Sequence, residues 1–224
     1  MQEILVTRKK KSIYPPLLPS TMLLMHFDKD WKEELGNVVT SNGTFSSDTT
    51  LFGGGSARFG SGQRGIIPPR DGFYSGLSEA TIEAWVYKTS TASFGTLVGQ
   101  GTAAGNQSAW DFSYSNGYDS AALYYSGSGT RQLVQVIPKD TIPLNQWVHL
   151  ALVWVPGTIT AYVNGIGQGA KAIGGWIIRG ATDISLGNNS YNSTLPFPGY
   201  IDELRLSNKA MYTGNFTPQQ TPFG

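Results

Sequence analysis

The sequence predicts an all-β protein built as a sandwich of two antiparallel sheets, and three observations carry that prediction. Charged residues make up only 14% of the 224, whereas surface helices carry Glu, Lys and Arg on their solvated face. Glycine is abundant at 28 residues and Ser, Thr and Asn are frequent, which suits many strands joined by tight turns. Short apolar runs are punctuated by turn signals roughly every 8 to 12 residues, the spacing of a sandwich or jelly roll. A chain of this length buries a sizeable core as one domain without covalent staples.

The strands follow in order. "TMLLMHF" opens the body as a short apolar run, and "SARFG" and "GIIP" are brief strands bounded by glycine or proline. "ATIEAWVYK" sets Ile82, Ala84 and Val86 against Thr81, Glu83, Trp85 and Tyr87, so one side faces a core and the other a second surface. "WDFSYS" sets Trp110, Phe112 and Tyr114 against Asp111, Ser113 and Ser115. "QWVHLALVWV" is apolar on both faces and belongs inside a sheet. "TITAYVNGIG" carries Asn164-Gly165 after a strand, a hairpin turn whose two central residues accept positive φ. "TDISLGN" and "GYIDELRLS" complete about a dozen strands, with a helical turn expected only at "SNKAMY". No internal repeat of fixed period is present, which disfavours a propeller or solenoid.

Residues 1–20 differ from the body. Arg8, Lys9, Lys10 and Lys11 precede Pro15, Pro16 and Pro19, and proline fixes φ and removes backbone donors. This stretch reads as an extended anchoring arm, with the globular domain over 21–224. The arm carries +3 and the remainder −2, so the body is no nucleic-acid binder by charge. The basic cluster is expected to dock on a partner protein, because four charges alone give only salt-sensitive, unspecific contact.

Several chemistries are excluded or disfavoured. There is no cysteine, hence no disulfide framework or thiolate metal site. The two histidines, His26 and His149, are too few for a histidine zinc cage and are expected to be structural. No apolar run approaches the roughly 20 residues of a membrane span. The start lacks the apolar core of a signal peptide, and the expectation is a protein made and kept in a cytoplasm. "FGGGSARF" has no following Lys-Ser/Thr and is a turn before a strand, not a phosphate loop. The five Asn-x-Ser/Thr triplets read as chance in a chain this rich in those residues.

"LLMHFD", "LFGGGSARFG", "ATIEAWVY", "LNQWVHLALVW", "TAYVNGI", "ISLGN" and "FPGYIDELRLSNKAMYTGNFTP" occur in this order over residues 21–224. Together they resemble the laminin-G-like, concanavalin A-like jelly-roll domains, of the compact type common in bacteriophage virion proteins and bacterial surface proteins. The resemblance implies a two-sheet antiparallel sandwich with its first and last strands adjacent, and relatives that bind glycans and hold calcium. The fold also carries hydrolases and structural modules, so it does not set function.

The adjacent acids Asp202 and Glu203 invite a hydrolase reading. Neighbours on a regular strand point to opposite faces; this places Asp202 with Leu204 and Leu206, and Glu203 with Ile201 and Arg205, its expected ion partner. Such a pair cannot grip one glycosidic bond from the same side. The Glu-x-Asp-x-x-Glu pattern of laminarinase-type glucanases sharing the fold is absent, and the chain is expected not to be an enzyme. Asp202 and Asp28 are instead candidate ligands of a structural calcium ion, with help from "GNNSYNS"; the alternatives are that Asp202 only caps a turn and that Asp28 ends a strand entering a solvated loop. Trp110, Tyr114 and Tyr124 are candidate sugar platforms, with core packing as the competing role.

The expected function is that of a non-enzymatic bacteriophage virion structural protein, a tail appendage or capsid decoration, assembled in the host cytoplasm. Residues 1–20 anchor it to other virion proteins and the sandwich faces outward toward host glycans, as a homo-oligomer. The alternatives are a free calcium-dependent lectin or adhesion module and, third, a glucan hydrolase acting through Glu83 or Glu203.

Overall fold

The computed structural model describes residues 15–68, 77–91, 95–100, 110–115, 120–126, 131–173, 182–190 and 193–224, with the backbone alone over the described parts of 114–132. The basic cluster Arg8, Lys9, Lys10 and Lys11 lies outside these residues.

Fifteen strands and no helix are present among the described residues. One sheet, here sheet A, holds β13 (Ile166–Ala172), β12 (Thr158–Val163), β11 (Trp147–Val155), β6 (Ala80–Lys88), β15 (Gly199–Ser207), β4 (Ser56–Arg58) and β3 (Thr44–Ser46) in that order, with β1 (Thr21–Met25) also paired to β15. Sheet B runs β10 (Arg131–Gln135), β9 (Ser120–Ser126), β8 (Trp110–Ser115), β7 (Gly95–Gln100), β14 (Ile184–Leu186), β5 (Gly65–Ile67) and β2 (Thr40–Ser41). Every pairing between named strands is antiparallel, and β1 beside β15 closes the domain as the resemblance implies. The predicted sandwich is the observed one.

Period-2 alternation builds the core. Ile82, Ala84 and Val86 of β6, Leu150 and Leu152 of β11, and Leu23 and Met25 of β1 meet Val98 of β7, Phe112 of β8 and Ile184 and Leu186 of β14 between the sheets. Each such aliphatic or aromatic side chain contributes about 1.5–3 kcal/mol on burial. The apolar run of β11 sits between β12 and β6, inside its sheet. The β12–β13 turn is Asn164 (φ 48) and Gly165 (φ 78), as the Asn-Gly signal predicts.

Residues 208–224 form a strap across the outer face of sheet A. The helical turn expected at "SNKAMY" is absent. There Thr81 Oγ1 donates to Lys209 O (2.7 Å) and accepts from Met211 N (2.9 Å), tying the backbone flat against the strand instead of letting it coil. Tyr212 and Phe216 stack at 3.5 Å and pack on Tyr162, Ala151 and Val153. Gly165 meets the Phe216 carbonyl where a Cβ would stand, so this turn requires glycine for close approach as well as for φ. Phe223 and Gly224 end buried beside Leu24 and Trp85, and Pro15 and Pro16 cover Gly224.

Candidate functional site

A β-bulge rewrites the side-chain parity of β15. Asp202 opposes Trp85 and Arg205 opposes Glu83, so Glu203 and Leu204 together span the one residue Ala84. Glu203 takes φ 53, a left-handed conformation uncommon for a residue with a Cβ and characteristic of the first position of one bulge class. Ile201, Leu204 and Leu206 all enter the main core, while Asp202, Glu203 and Arg205 all face outward. The expected alternation, with Asp202 beside Leu204 and Glu203 opposite, is therefore corrected: the extra residue puts both acids on the same face.

Those acids are buried beneath the strap. Glu203 is fully buried; its Oε1 lies 2.7 Å from His26 Nδ1 and its Oε2 accepts from Phe223 N at 2.7 Å. Burial raises its carboxyl above the ordinary range against the opposing pull of His26. Arg205 is not its partner. The Arg205 Nε and Nη2 atoms reach Glu83 Oε1 at 2.9 and 2.8 Å, and Nη1 donates to Gly224 O at 2.9 Å. The guanidinium also sits 4.5 Å over the Phe223 ring.

Glu83 is the hub of this network. Its Oε2 accepts from Tyr212 Oη at 2.7 Å and lies 3.2 Å from His149 Nε2. Burial pushes the Glu83 carboxyl up, but the His149 hydrogen bond, Arg205 and Tyr212 outweigh it and hold it below the usual value. Burial and the Glu83 charge push the Tyr212 phenol well up. Both histidines are thus structural partners of buried glutamates, the role expected of them.

Asp202 stands apart, with one carboxylate oxygen satisfied and one not. Its Oδ2 accepts from Leu51 N (3.3 Å) and Phe52 N (3.2 Å), while the buried Oδ1 has no hydrogen-bond partner. Burial, then the charges of Glu203 and Asp28, push its carboxyl up to about 8. Asp28 follows a sharp turn at Phe27 (φ 59), and its carboxylate fills the space where a Cβ of Gly53 would stand. The glycines of "LFGGG" thereby let Asp28 and Asp202 converge on one loop.

An orphaned buried oxygen beside mutually repelling carboxylates fits a bound cation. Calcium prefers 6 to 8 oxygen ligands, and no group of three metal-ligating side chains forms among the described residues. Backbone carbonyls and water would supply the remainder. In the Asn loop, the Asn188 side chain is already engaged: its Nδ2 donates to the carbonyls of Gly60, Gln63 and Ser193, and its Oδ1 accepts from Asn189 N and Leu195 N. It staples loops together.

Of the expected sugar platform, Trp110 is 1% exposed and donates its indole N–H to Gln100 Oε1 at 3.1 Å. It is a core residue with no face open to a ligand, because the inward parity of β8 points it between the sheets. The side chains of Tyr114 and Tyr124 lie outside the described ones. Accessible aromatics occur elsewhere. Trp147, Tyr87 and Tyr200 stand half-buried on the outer face of sheet A, with Trp147 and Tyr200 each paired to Tyr87 across the strands.

Residues 39–213 match the family model described as the concanavalin A-like lectin/glucanases superfamily. Among solved structures, domain 4 of AbnA, a GH43 extracellular arabinanase from Geobacillus stearothermophilus, in complex with arabinotriose, superposes with a TM-score of 0.64 at 22% identity. The match covers 90% of this chain and 96% of that one. The receptor-binding domain of the botulinum neurotoxin C/D mosaic serotype superposes with a TM-score of 0.66 at 12% identity over 86% of this chain. The botulinum neurotoxin serotype D binding domain gives 0.64 at 12% identity, also over 86%. The chain spans about half the length of these two, 49% of each. No curated protein sequence matches it. The two-sheet architecture and the extent of the family match agree: this chain belongs to the concanavalin A-like lectin/glucanase superfamily.

Proposed function

We propose that this chain is a non-catalytic carbohydrate-binding domain displayed on a bacteriophage particle, as a tail appendage or capsid decoration. The observation that carries the non-catalytic part is the fate of its acids. Glu83, Asp202 and Glu203 are each at most 1% exposed, and the two glutamates are committed to His149, Arg205, Tyr212, His26 and the strap. A glycosidase needs two carboxyl groups that reach the same bond. Carbohydrate binding is supported by the family and by the arabinotriose complex of the AbnA domain.

The particle reading is supported by the basic, proline-rich residues 1–20 together with the resemblance to virion domains. Residues 1–20 would grip other virion proteins after assembly in the host cytoplasm, and repeated copies in a homo-oligomer would give avidity toward host glycans. The experiment is the copy number of this chain in purified particles, by quantitative mass spectrometry against the major capsid protein, with a glycan array on the purified full chain. Hundreds of copies mean decoration, and a few copies in symmetric multiples mean a tail component. Absence from particles overturns the virion reading.

Asp202 favours one second reading, a calcium-dependent lectin acting alone. Asp28 and Asp202 would hold the ion, which supplies positive charge to a cluster of buried carboxylates and ties the loop at 51–55 to β15. In that case glycan binding survives without particles and falls in chelator.

A further inference from the structure

We propose that the open end of the outer face of sheet A is the glycan platform, and that it takes a linear acidic sugar chain. Trp147, Tyr87 and Tyr200 would stack on sugar faces while Arg58 pairs with a sugar carboxylate. The inference rests on the carbohydrate-binding reading above.

Strand register builds the row. Trp147 opposes Tyr87, Tyr87 opposes Tyr200, and Tyr200 opposes Arg58, across β11, β6, β15 and β4. Ring centroids are 5.6 Å apart for Trp147 and Tyr87 and 6.0 Å for Tyr87 and Tyr200, both edge-to-face. The Arg58 guanidinium lies 5.2 Å from the Tyr200 ring centre, with Nη1 3.4 Å from the Tyr200 hydroxyl. All four point the same way because all four lie at the outward parity of their strands.

What distinguishes the row is that no segment among the described residues covers it. Other rings on this face are sealed: Trp85 is 5% and Tyr162 4% exposed beneath the strap and the loop at 51–55, and Phe223, within the strap, is 1% exposed. Trp147, Tyr87 and Tyr200 remain half-buried and Arg58 exposed. Leaving aromatic surface in water forgoes stabilisation that a ligand can recover. Sugars offer apolar C–H faces to rings and hydroxyl edges to groups such as the two tyrosine hydroxyls.

Charge and shape narrow the occupant. Arg58 pairs with no carboxylate among the described residues, and a guanidinium grips a carboxylate through two parallel hydrogen bonds. The row is one residue deep and four strands long, about 15 Å at the usual strand spacing. Such a strip suits an extended chain of a few sugars. It is too narrow for the roughly 800 Å² per partner of a stable protein interface.

The test uses the full chain and a panel of oligogalacturonate, oligoalginate and hyaluronan oligomers, each beside its methyl-esterified form, read by calorimetry. The expected result is binding of an acidic oligomer that weakens about tenfold or more in Tyr200→Ala and Trp147→Ala, with unchanged melting temperature. Arg58→Gln should erase the preference for acid over ester. Equal binding by wild type and row variants overturns the platform but leaves a carbohydrate-binding domain. Neutral glycans bound on an array with no acidic oligomer bound overturns the acidic assignment. No glycan bound at all overturns both readings. A monomer–dimer shift on Tyr200→Ala without glycan binding would instead make the row a protein contact.

Discussion

The outer face of sheet A has two ends built from similar residues and put to opposite use. At the covered end, Glu83, Glu203, Arg205, His26 and His149 lie beneath residues 208–224, and every charge has a partner in the chain. At the open end, Trp147, Tyr87, Tyr200 and Arg58 stand in register with no segment over them among the described residues. The comparison teaches that an acid's position in a sugar-binding type of fold says little until its cover is known. Glu83 and Glu203 are held by partners within the chain, and the row of Trp147, Tyr87, Tyr200 and Arg58 contains no acid.

The sharpest way to break this contrast is to unpair the hub. Glu83 and Arg205 are 1% and 3% exposed, and removing one member of a buried pair leaves an uncompensated charge that costs about 3–5 kcal/mol. Arg205→Met should lose that much in denaturant unfolding, and Glu83→Gln a comparable amount. The double variant should lose less than the sum, since each partner's absence relieves the other. Losses under about 1 kcal/mol for both singles would mean that the strap, not the ion network, holds this end.

Asp202 gives the next largest effect, and one that is lost as pH rises. Its folded-state pKa of about 8 lies above the unfolded value near 4. In chelator its contribution is therefore fully present below about pH 4 and is lost as pH rises through 8. Glu83 works the other way: its folded pKa is lowered, so its stabilisation is lost as pH falls below the ordinary carboxylate range. Chelated protein should then melt highest in mildly acidic buffer and fall toward pH 8. Calcium should restore the melting temperature at pH 8, and Asp202→Asn should abolish both the alkaline fall and the calcium response. An equal calcium response in Asp202→Asn would remove Asp202 from the ion's ligands.

How much of this was legible in the sequence follows from which information is local. Composition, period-2 patterning and Asn164-Gly165 are local, and they delivered the sandwich, the inward side of β6 and the β12–β13 hairpin. The bulge at Glu203 was not legible, because nothing about a glutamate announces φ 53 and one inserted residue reverses parity beyond it. The Arg205–Glu83 pair and the aromatic row depend on the order β11-β6-β15-β4, which joins strands far apart in sequence. The approach of Asp28 and Asp202 to one loop was legible only through the resemblance, which places the first strand beside the last. For Trp110 both roles, platform and core, stayed open in the sequence, because a strand aromatic looks alike from either face until the sheet partner is known.

The aromatic row should contribute little to stability. Tyr87→Ala and Tyr200→Ala remove half-exposed rings, and surface changes of this kind usually cost well under the loss at the hub. Thermal melts within a few degrees of wild type, beside lost glycan binding, would separate the two ends cleanly. A collapse comparable to Arg205→Met would make the row part of the fold's support.

The smallest effect is expected where the geometry looks strongest on paper. Lys32 Nζ lies 2.7 Å from Glu34 Oε2, as short as the 2.8 Å between Arg205 Nη2 and Glu83 Oε1. The Lys32 and Glu34 side chains are 61% and 19% exposed, against 4% and 0% for Arg205 and Glu83. Water screens the first pair, and two flexible side chains lose entropy to hold it, so Lys32→Ala should cost at most about 1 kcal/mol and fade in salt. The second pair is already out of water, so its loss exposes the full cost of an orphaned charge. Equal unfolding losses for Lys32→Ala and Arg205→Met would mean that the strap admits solvent and that the covered end is not sealed at all.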